Sequence, residues 1–210
     1  MKLAIFGATG KTGKQLVEQA ISTGYEVTAF VRNPAKLGLK NERLTIMQGE
    51  LTDREKIELA VTGADAVLSA LGPRGNSRGK SLTQGIQNII AAMQQQGVRR
   101  LIIISTPSAS DPNDHPDFKI KFLAGLVRLV IRPAYEEITS IAQAVRKSDL
   151  DWTIVRVVML NDKPKSSKVR VAYVGTGDVG IQISRADIAY FMLNQVQNSK
   201  YIRKAPVISN

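Results

Sequence analysis

Lys2-Leu3-Ala4-Ile5-Phe6-Gly7-Ala8-Thr9-Gly10-Lys11-Thr12-Gly13 opens the chain with an apolar run followed by glycines three residues apart. The run reads as a short strand. Behind it, Leu16, Val17, Ala20 and Ile21 recur at helical spacing over Lys14–Thr23, and Gly24 stands where a helix stops. A glycine turn joining a first strand to a first helix has a specific physical use. Gly7 permits a tight exit from the strand, Gly10 lets backbone N–H groups approach a diphosphate, and Gly13 lets the helix pack close to the sheet. The helix start contributes unpaired N–H groups and partial positive charge, and Thr9, Lys11 and Thr12 add side-chain donors. This context favours a dinucleotide site over a structural turn with no ligand.

The alternation continues outward from that turn. Glu26–Val31, Leu44–Gln48, Ala64–Leu71, Arg100–Ile104 and Asp151–Val157 read as strands. Arg54–Val61, capped by Asp53, and Lys80–Gln96 read as helices, as do Phe118–Ile131 and Ala134–Ser148, divided by Pro133. Further on, Lys168–Val174 and Lys204–Ile208 look like strands around a helix at Ser184–Gln197. The pattern predicts an α/β fold with a doubly wound, mostly parallel sheet, a Rossmann fold, in one domain over 1–210. The substrate-side elements are expected mainly in 106–135 and 157–183.

The 210 residues include no cysteine and one histidine. That excludes a disulfide framework and a cysteine nucleophile, and it argues against a transition-metal site. No apolar run reaches transmembrane length, and the first residues lead into a glycine turn rather than a cleavage site, so a cytoplasmic location is expected. The formal net charge of +11 makes anionic partners plausible. The basic residues are scattered, however, which favours a solvated surface over a nucleic-acid footprint. The expected partner is a small-molecule acceptor, with the chain a homodimer or monomer.

The second strand decides between the two nicotinamide dinucleotides. A carboxylate at its end accepts from a ribose 2′-OH, whereas an arginine pairs with a 2′-phosphate. Phe30-Val31-Arg32-Asn33-Pro34 has Arg32 there and no acid, with Lys36 close behind, so NADP(H) is favoured over NAD(H). After the third strand, Glu50 is placed to accept from the adenine amino group and Leu51 to pack on the ring, while Asp53 reads as a helix cap. After the fourth, Ala70, Leu71 and Gly72 line the crossing of the sheet edge. Arg74 and Arg78 in the next loop are either phosphate ligands or solvated.

At this point the residues resemble the atypical short-chain dehydrogenase/reductase superfamily. The opening through Gly13 is similar to its NAD(P)H-binding, NmrA-like branch, of the flavin reductase/biliverdin-IXβ reductase type. Supporting matches are Gly24–Thr28 with Val31-Arg32, Ala64–Val67, Asn88–Met93 with Gly97-Val98, Ser105, Ser148–Arg156 and Ile183–Ala189. The pattern departs where Val157 replaces the proline usual after the sixth-strand arginine. It departs again where Asn161–Lys168 replaces a glycine-rich segment, and at Pro116–Glu137, which has no equivalent in the small flavin reductases. The resemblance implies an NADPH-dependent oxidoreductase acting on a flavin or similar conjugated acceptor, with flavin as substrate. It also implies that Ser105 and Thr106 lie beside the nicotinamide.

Ordinary alcohol chemistry in this superfamily needs a tyrosine with a lysine four residues on. Tyr135 is followed at that offset by Thr139 and Tyr173 by Gly177, so the dyad is absent. Flavin reduction does not need it. Ser105 either positions a carboxamide or satisfies a strand end, and His115 is either a proton donor or a solvated loop residue. The helical stripe at Phe118–Ile131 reads as core, lid, dimer face or membrane-surface helix. Trp152 reads as core, and Arg185 with Asp187 as a structural pair or cap. The competing reading is a non-catalytic NADP(H)-binding, redox-sensing regulatory module. A nucleotide-sugar epimerase is a weaker third.

Overall fold

Strict alternation of side chains along each central strand sends neighbouring apolar residues to opposite layers, and both layers are covered by helices. A computed structural model describes residues 1–73, 81–116, 132–177 and 179–210. The strands are β1 (Lys2–Phe6), β2 (Glu26–Val31), β3 (Leu44–Gln48), β4 (Ala66–Ser69), β5 (Arg100–Ser105), β6 (Asp151–Val157), β7 (Met159–Asn161), β8 (Arg170–Ala172), β9 (Gln182–Ser184) and β10 (Val207–Ser209). The helices are α1 (Lys11–Ser22), α2 (Arg54–Val61), α3 (Ser81–Gln95), α4 (Arg132–Lys147) and α5 (Arg185–Asn194).

The main sheet runs β3-β2-β1-β4-β5-β6-β10-β8. Every neighbouring pair in it is parallel except β10 with β8. Leu3, Ile5, Ala29 and Leu68 face one layer, with Leu16, Val17 and Ala20 of α1 and Ile188 and Met192 of α5. Ala4, Phe6, Phe30, Val67 and Ile103 face the other, with Ile57 of α2, Ile89 and Met93 of α3 and Val145 of α4. This is the Rossmann arrangement that the alternation predicts. The strand order reverses between β1 and β4, and in such sheets the carboxyl ends of the strands at the reversal form the ligand crevice.

Several elements differ from the sequence reading, for identifiable reasons. α1 begins at Lys11, because the residues after Gly10 already take helical conformation. β4 is shorter than Ala64–Leu71: the Ala64 amide closes the α2 exit turn on the Val61 carbonyl, and the Asp65 carboxylate accepts from the Lys2 amide at 2.7 Å. Pro133 lies within α4 rather than before it. The last strand is Val207–Ser209, since Pro206 has no N–H for the ladder and the Ala205 amide donates to Asp111 at 2.7 Å instead. The parallel pair β7–β9 is an addition. Asp53 does cap α2, accepting from the Lys56 amide at 3.2 Å, and Trp152 is buried in the core. The segment Phe118–Ile131 lies outside the described residues.

One buried cation sits at the opposite end of the sheet from the crevice. Arg100 donates to the Gln195 and Asp151 carbonyls and to Thr153 Oγ1. Burial pushes its pKa down to about 10, against the opposing charge of Asp151, so it stays protonated at neutral pH. Among the described residues, no helix is long and apolar enough to cross a membrane.

Leu68 in β4 is fully buried, whereas Leu59 on α2 is 62% exposed. Leu68→Ala is expected to lower unfolding free energy by about 2–5 kcal/mol in urea titrations followed by circular dichroism. Leu59→Ala should change it by about 0.5 kcal/mol or less.

Candidate functional site

The turn between β1 and α1 is built around two close approaches. Gly7 has φ +80°, and a Cβ there would lie 2.8 Å from the Ala70 carbonyl carbon and 2.9 Å from the Leu71 nitrogen. Only glycine lets β1 leave its strand this close to the end of β4. At Gly13 a Cβ would lie 2.1 Å from the Gly7 carbonyl oxygen and 2.8 Å from Ala8 Cα. Gly10 donates its amide back to the Gly7 carbonyl at 3.0 Å and caps α1 in an extended conformation. Having no side chain, it offers no capping acceptor to the amides of the first turn, Lys11, Thr12 and Gly13. Thr9 and Thr12 are half-buried beside them. The result is a backbone cradle with positive polarity and no Cβ in its throat, which fits a diphosphate.

The flanking strand ends fall around this cradle as their order requires. Arg32 is exposed immediately beyond β2, and its carbonyl accepts from Gln48 of β3 at 3.3 Å. Asn33 caps the short 3-10 turn Pro34–Lys36 by accepting from the Ala35 amide, which fixes the chain beside that guanidinium. Glu50 is exposed. Leu51 is half-buried and leans on α3, where a Cβ at Gly85 would lie 2.8 Å from its side chain. Asn88 of α3 holds the Leu51 carbonyl at 2.8 Å. Ala70 and Leu71 are half-buried and Gly72 exposed, with the Ala70 amide donating to the Phe6 carbonyl. Arg74 and Arg78 lie outside the described residues.

Beyond β4 the next strand end is that of β5. Ser105 is buried at its carboxyl end, in register with Arg156 of β6. The next residue, Thr106, has a buried Oγ1 with no hydrogen-bond partner among the described residues. A buried hydroxyl in that condition costs about 1–3 kcal/mol, so a polar group supplied by a ligand gains there.

The loop that follows is clamped by a pair that the sequence reading did not single out. Arg156 is fully buried and grips Asp114 with two hydrogen bonds, of 2.6 and 2.7 Å. Its Nε donates to the Ala205 carbonyl at 2.5 Å. Asp114 also accepts from the Asp111 and Val174 amides. Burial raises the Asp114 pKa, but the Arg156 hydrogen bonds and charge and the two amides outweigh it and hold the carboxyl below its ordinary range. An arginine between Val155 and Val157, in the apolar second half of β6, was the available signal. His115 is exposed beside the clamp, with its amide donating to the Val174 carbonyl at 2.8 Å.

Two further observations bear on chemistry. Burial pushes the Tyr173 phenol upward, and the Asp111 carboxylate adds to it, the reverse of what an acid–base tyrosine needs. Thr139, at the lysine position relative to Tyr135, turns its hydroxyl onto the Tyr135 and Glu136 carbonyls. Arg185 and Asp187 do not pair with each other. Arg185 and Lys11 both bind Asp162, at 2.5 and 2.7 Å, which straps the segment after β7 across the start of α1. Asp187 is buried and accepts from Ser184, which caps α5, and from the Ser166 and Ser167 amides.

Residues 7–199 match the family described as NAD(P)H-binding. A chloroplastic protein of Arabidopsis thaliana is 31% identical over 181 residues, covering 80% of this chain. The chain spans 62% of that relative's length. A short-chain dehydrogenase/reductase from Veillonella parvula, solved in complex with NADP, superposes with a TM-score of 0.76 at 19% identity, covering 100% of this chain and 94% of its own. ChuY, an anaerobilin reductase from Escherichia coli O157:H7, gives 0.78 at 18% identity, covering 99% and 96%. These two likenesses show the fold.

Gly13→Ala is expected to weaken dinucleotide binding at least tenfold and to lower the melting temperature, because backbone must move to admit the methyl group. Fluorescence titration and thermal melts check both. For the clamp, Asp114 titrates below its unfolded value, so its stabilisation is present above the ordinary carboxylate range and is lost as pH falls through and below that range. Asp114→Asn should remove that acid-side loss and cost about 3–5 kcal/mol at neutral pH, read from urea unfolding at a series of pH values.

Proposed function

We propose that this chain, which belongs to the NAD(P)H-binding family, is an NADPH-dependent oxidoreductase that reduces a flavin or a similar conjugated acceptor. The observation that carries the reading is the cradle at Gly7, Gly10 and Gly13, whose uncapped amides and missing Cβ atoms fit a dinucleotide diphosphate. Lys11, Thr9 and Thr12 supplement those amides. Arg32, exposed at the end of β2 with no acid beside it in the strand end, takes the 2′-phosphate through paired N–H donors. Glu50 and Leu51 border the adenine, and Ala70, Leu71 and Gly72 let the dinucleotide pass the edge of β4.

Bound in this way, the dinucleotide supplies a hydride from its nicotinamide ring. The chain's own contribution is alignment. Ser105 and the unpartnered Thr106 hydroxyl hold polar groups at the carboxyl end of β5. The Arg156–Asp114 clamp keeps the loop carrying Thr106 and His115 in place, and the described parts of 106–135 and 157–183 form the acceptor side. With no tyrosine–lysine dyad, the site suits an acceptor whose conjugated ring takes the electron pair directly. The fold likeness to an anaerobilin reductase supports the same class.

The reading is tested by following NADPH absorbance with FMN or riboflavin as acceptor. Loss of NADPH above the uncatalysed background is expected; saturable NADPH binding with no turnover of either acceptor contradicts the reductase reading. Arg32→Ala should raise KM for NADPH about 10–100-fold while leaving that for NADH nearly unchanged, the difference one charge-assisted pair makes.

A further inference from the structure

Three of the six large hydrophobic side chains most exposed among the described residues gather in one place. Met159 and Leu160 belong to β7, and Ile181 immediately precedes β9. The parallel pairing of β7 with β9 brings their backbones together, with the Met159 amide donating to the Ile181 carbonyl at 3.2 Å, while Met159 and Leu160, consecutive in β7, project to opposite sides of the pair. The pairing leaves the three side chains 68%, 42% and 74% exposed. Ile181, Lys163, Lys168 and Arg170 line one concavity of about 750 Å³. Lys165 is exposed nearby and lies 5.2 Å over the Tyr190 ring.

The described acids in reach are already engaged. Asp162 is bound by Lys11 and Arg185. Asp187, at the floor of the concavity, is enclosed by Ser166, Ser167, Ser184 and Asn210, and those hydrogen bonds hold it ionised against burial. The same hydrogen bonds fasten the cationic segment to α5. This edge therefore presents exposed aliphatic side chains on both sides of a fixed backbone, with Lys163, Lys168 and Arg170 beside Ile181 and no described acid left to neutralise them.

We propose that this edge docks on an anionic lipid bilayer. Aliphatic groups entering the headgroup boundary, with lysines and an arginine at its phosphates, is the combination such a surface takes. A single-stranded nucleic acid calls for exposed aromatic faces to stack on, and the described patch offers aliphatic ones. A second copy meeting this edge about a two-fold axis would set its cations against the same cations. The proposal is independent of the acceptor.

The test is cosedimentation of the whole chain with phosphatidylcholine vesicles containing about 30% phosphatidylglycerol, and with phosphatidylcholine vesicles alone. Binding is expected to the first and not the second. Lys163→Gln/Lys165→Gln/Lys168→Gln should weaken it about 100-fold, near fivefold per cation. Met159→Ser/Ile181→Ser should weaken it about tenfold or more. A control, Lys40→Gln/Arg43→Gln/Lys147→Gln, removes equal charge elsewhere and should change it about threefold or less. The altered positions are exposed, and thermal melts with NADP⁺ titration verify that each variant is folded. Three results would overturn the proposal. One is no binding to either vesicle. Another is equal loss in the control, or none in the serine variant, which assigns the attraction to the overall +11 charge. The third is a lipid-free dimer that the serine variant dissociates, which makes the edge a contact between copies.

Discussion

At Gly13 the first helix meets the preceding turn with no room for a side chain: a Cβ would fall 2.1 Å from the Gly7 carbonyl oxygen. That contact sets where α1 begins and how near it lies to β1. Leu16, Val17 and Ala20, one to two turns on, then reach the layer formed by Leu3, Ile5 and Ala29. Gly7 transmits the same constraint sideways, since its positive φ brings the turn against Ala70 and Leu71 after β4. The uncapped amides of the helix start are thus delivered to the place where the strand order reverses. Packing and ligand recognition have one cause here.

The loop after β5 is organised by a different force. A fully buried arginine holds Asp114, while Asp111 reaches the Ala205 amide and Asp114 the Val174 amide. Three segments distant in sequence are thereby fastened to β6. Burying a charge is costly unless nearly all of its hydrogen-bonding capacity is met, and this network meets it. Thr106 stands at the start of the clamped loop with a buried hydroxyl that meets no partner among the described residues.

Much of the fold was legible because its causes are local. β1, β2, β3, α2 and β6 fall where periodicity and turn residues place them, and Asp53 caps α2 through its own neighbours. Legibility fell where partners are remote. β7 and β9 are three residues each and joined only by pairing across a segment that contains β8, so neither carries a period of its own. Pro206 shortens the last strand because the ladder it interrupts is supplied by β6. The tight geometry of the glycine turn was readable, since it follows from missing side chains. The Arg156–Asp114 pair was not, because nothing in a strand arginine names the carboxylate 42 residues earlier that will meet it.

The central claim is that backbone amides at the start of α1 hold the diphosphate of a dinucleotide. An amide ¹H–¹⁵N shift map of the isotopically labelled chain during titration with NADP⁺ addresses it directly. The account predicts saturating shifts that are largest at Gly10, Lys11, Thr12 and Gly13, with a second group at Arg32 and Asn33. Saturable binding that leaves those amides unmoved, or no binding at all to folded protein, would contradict it.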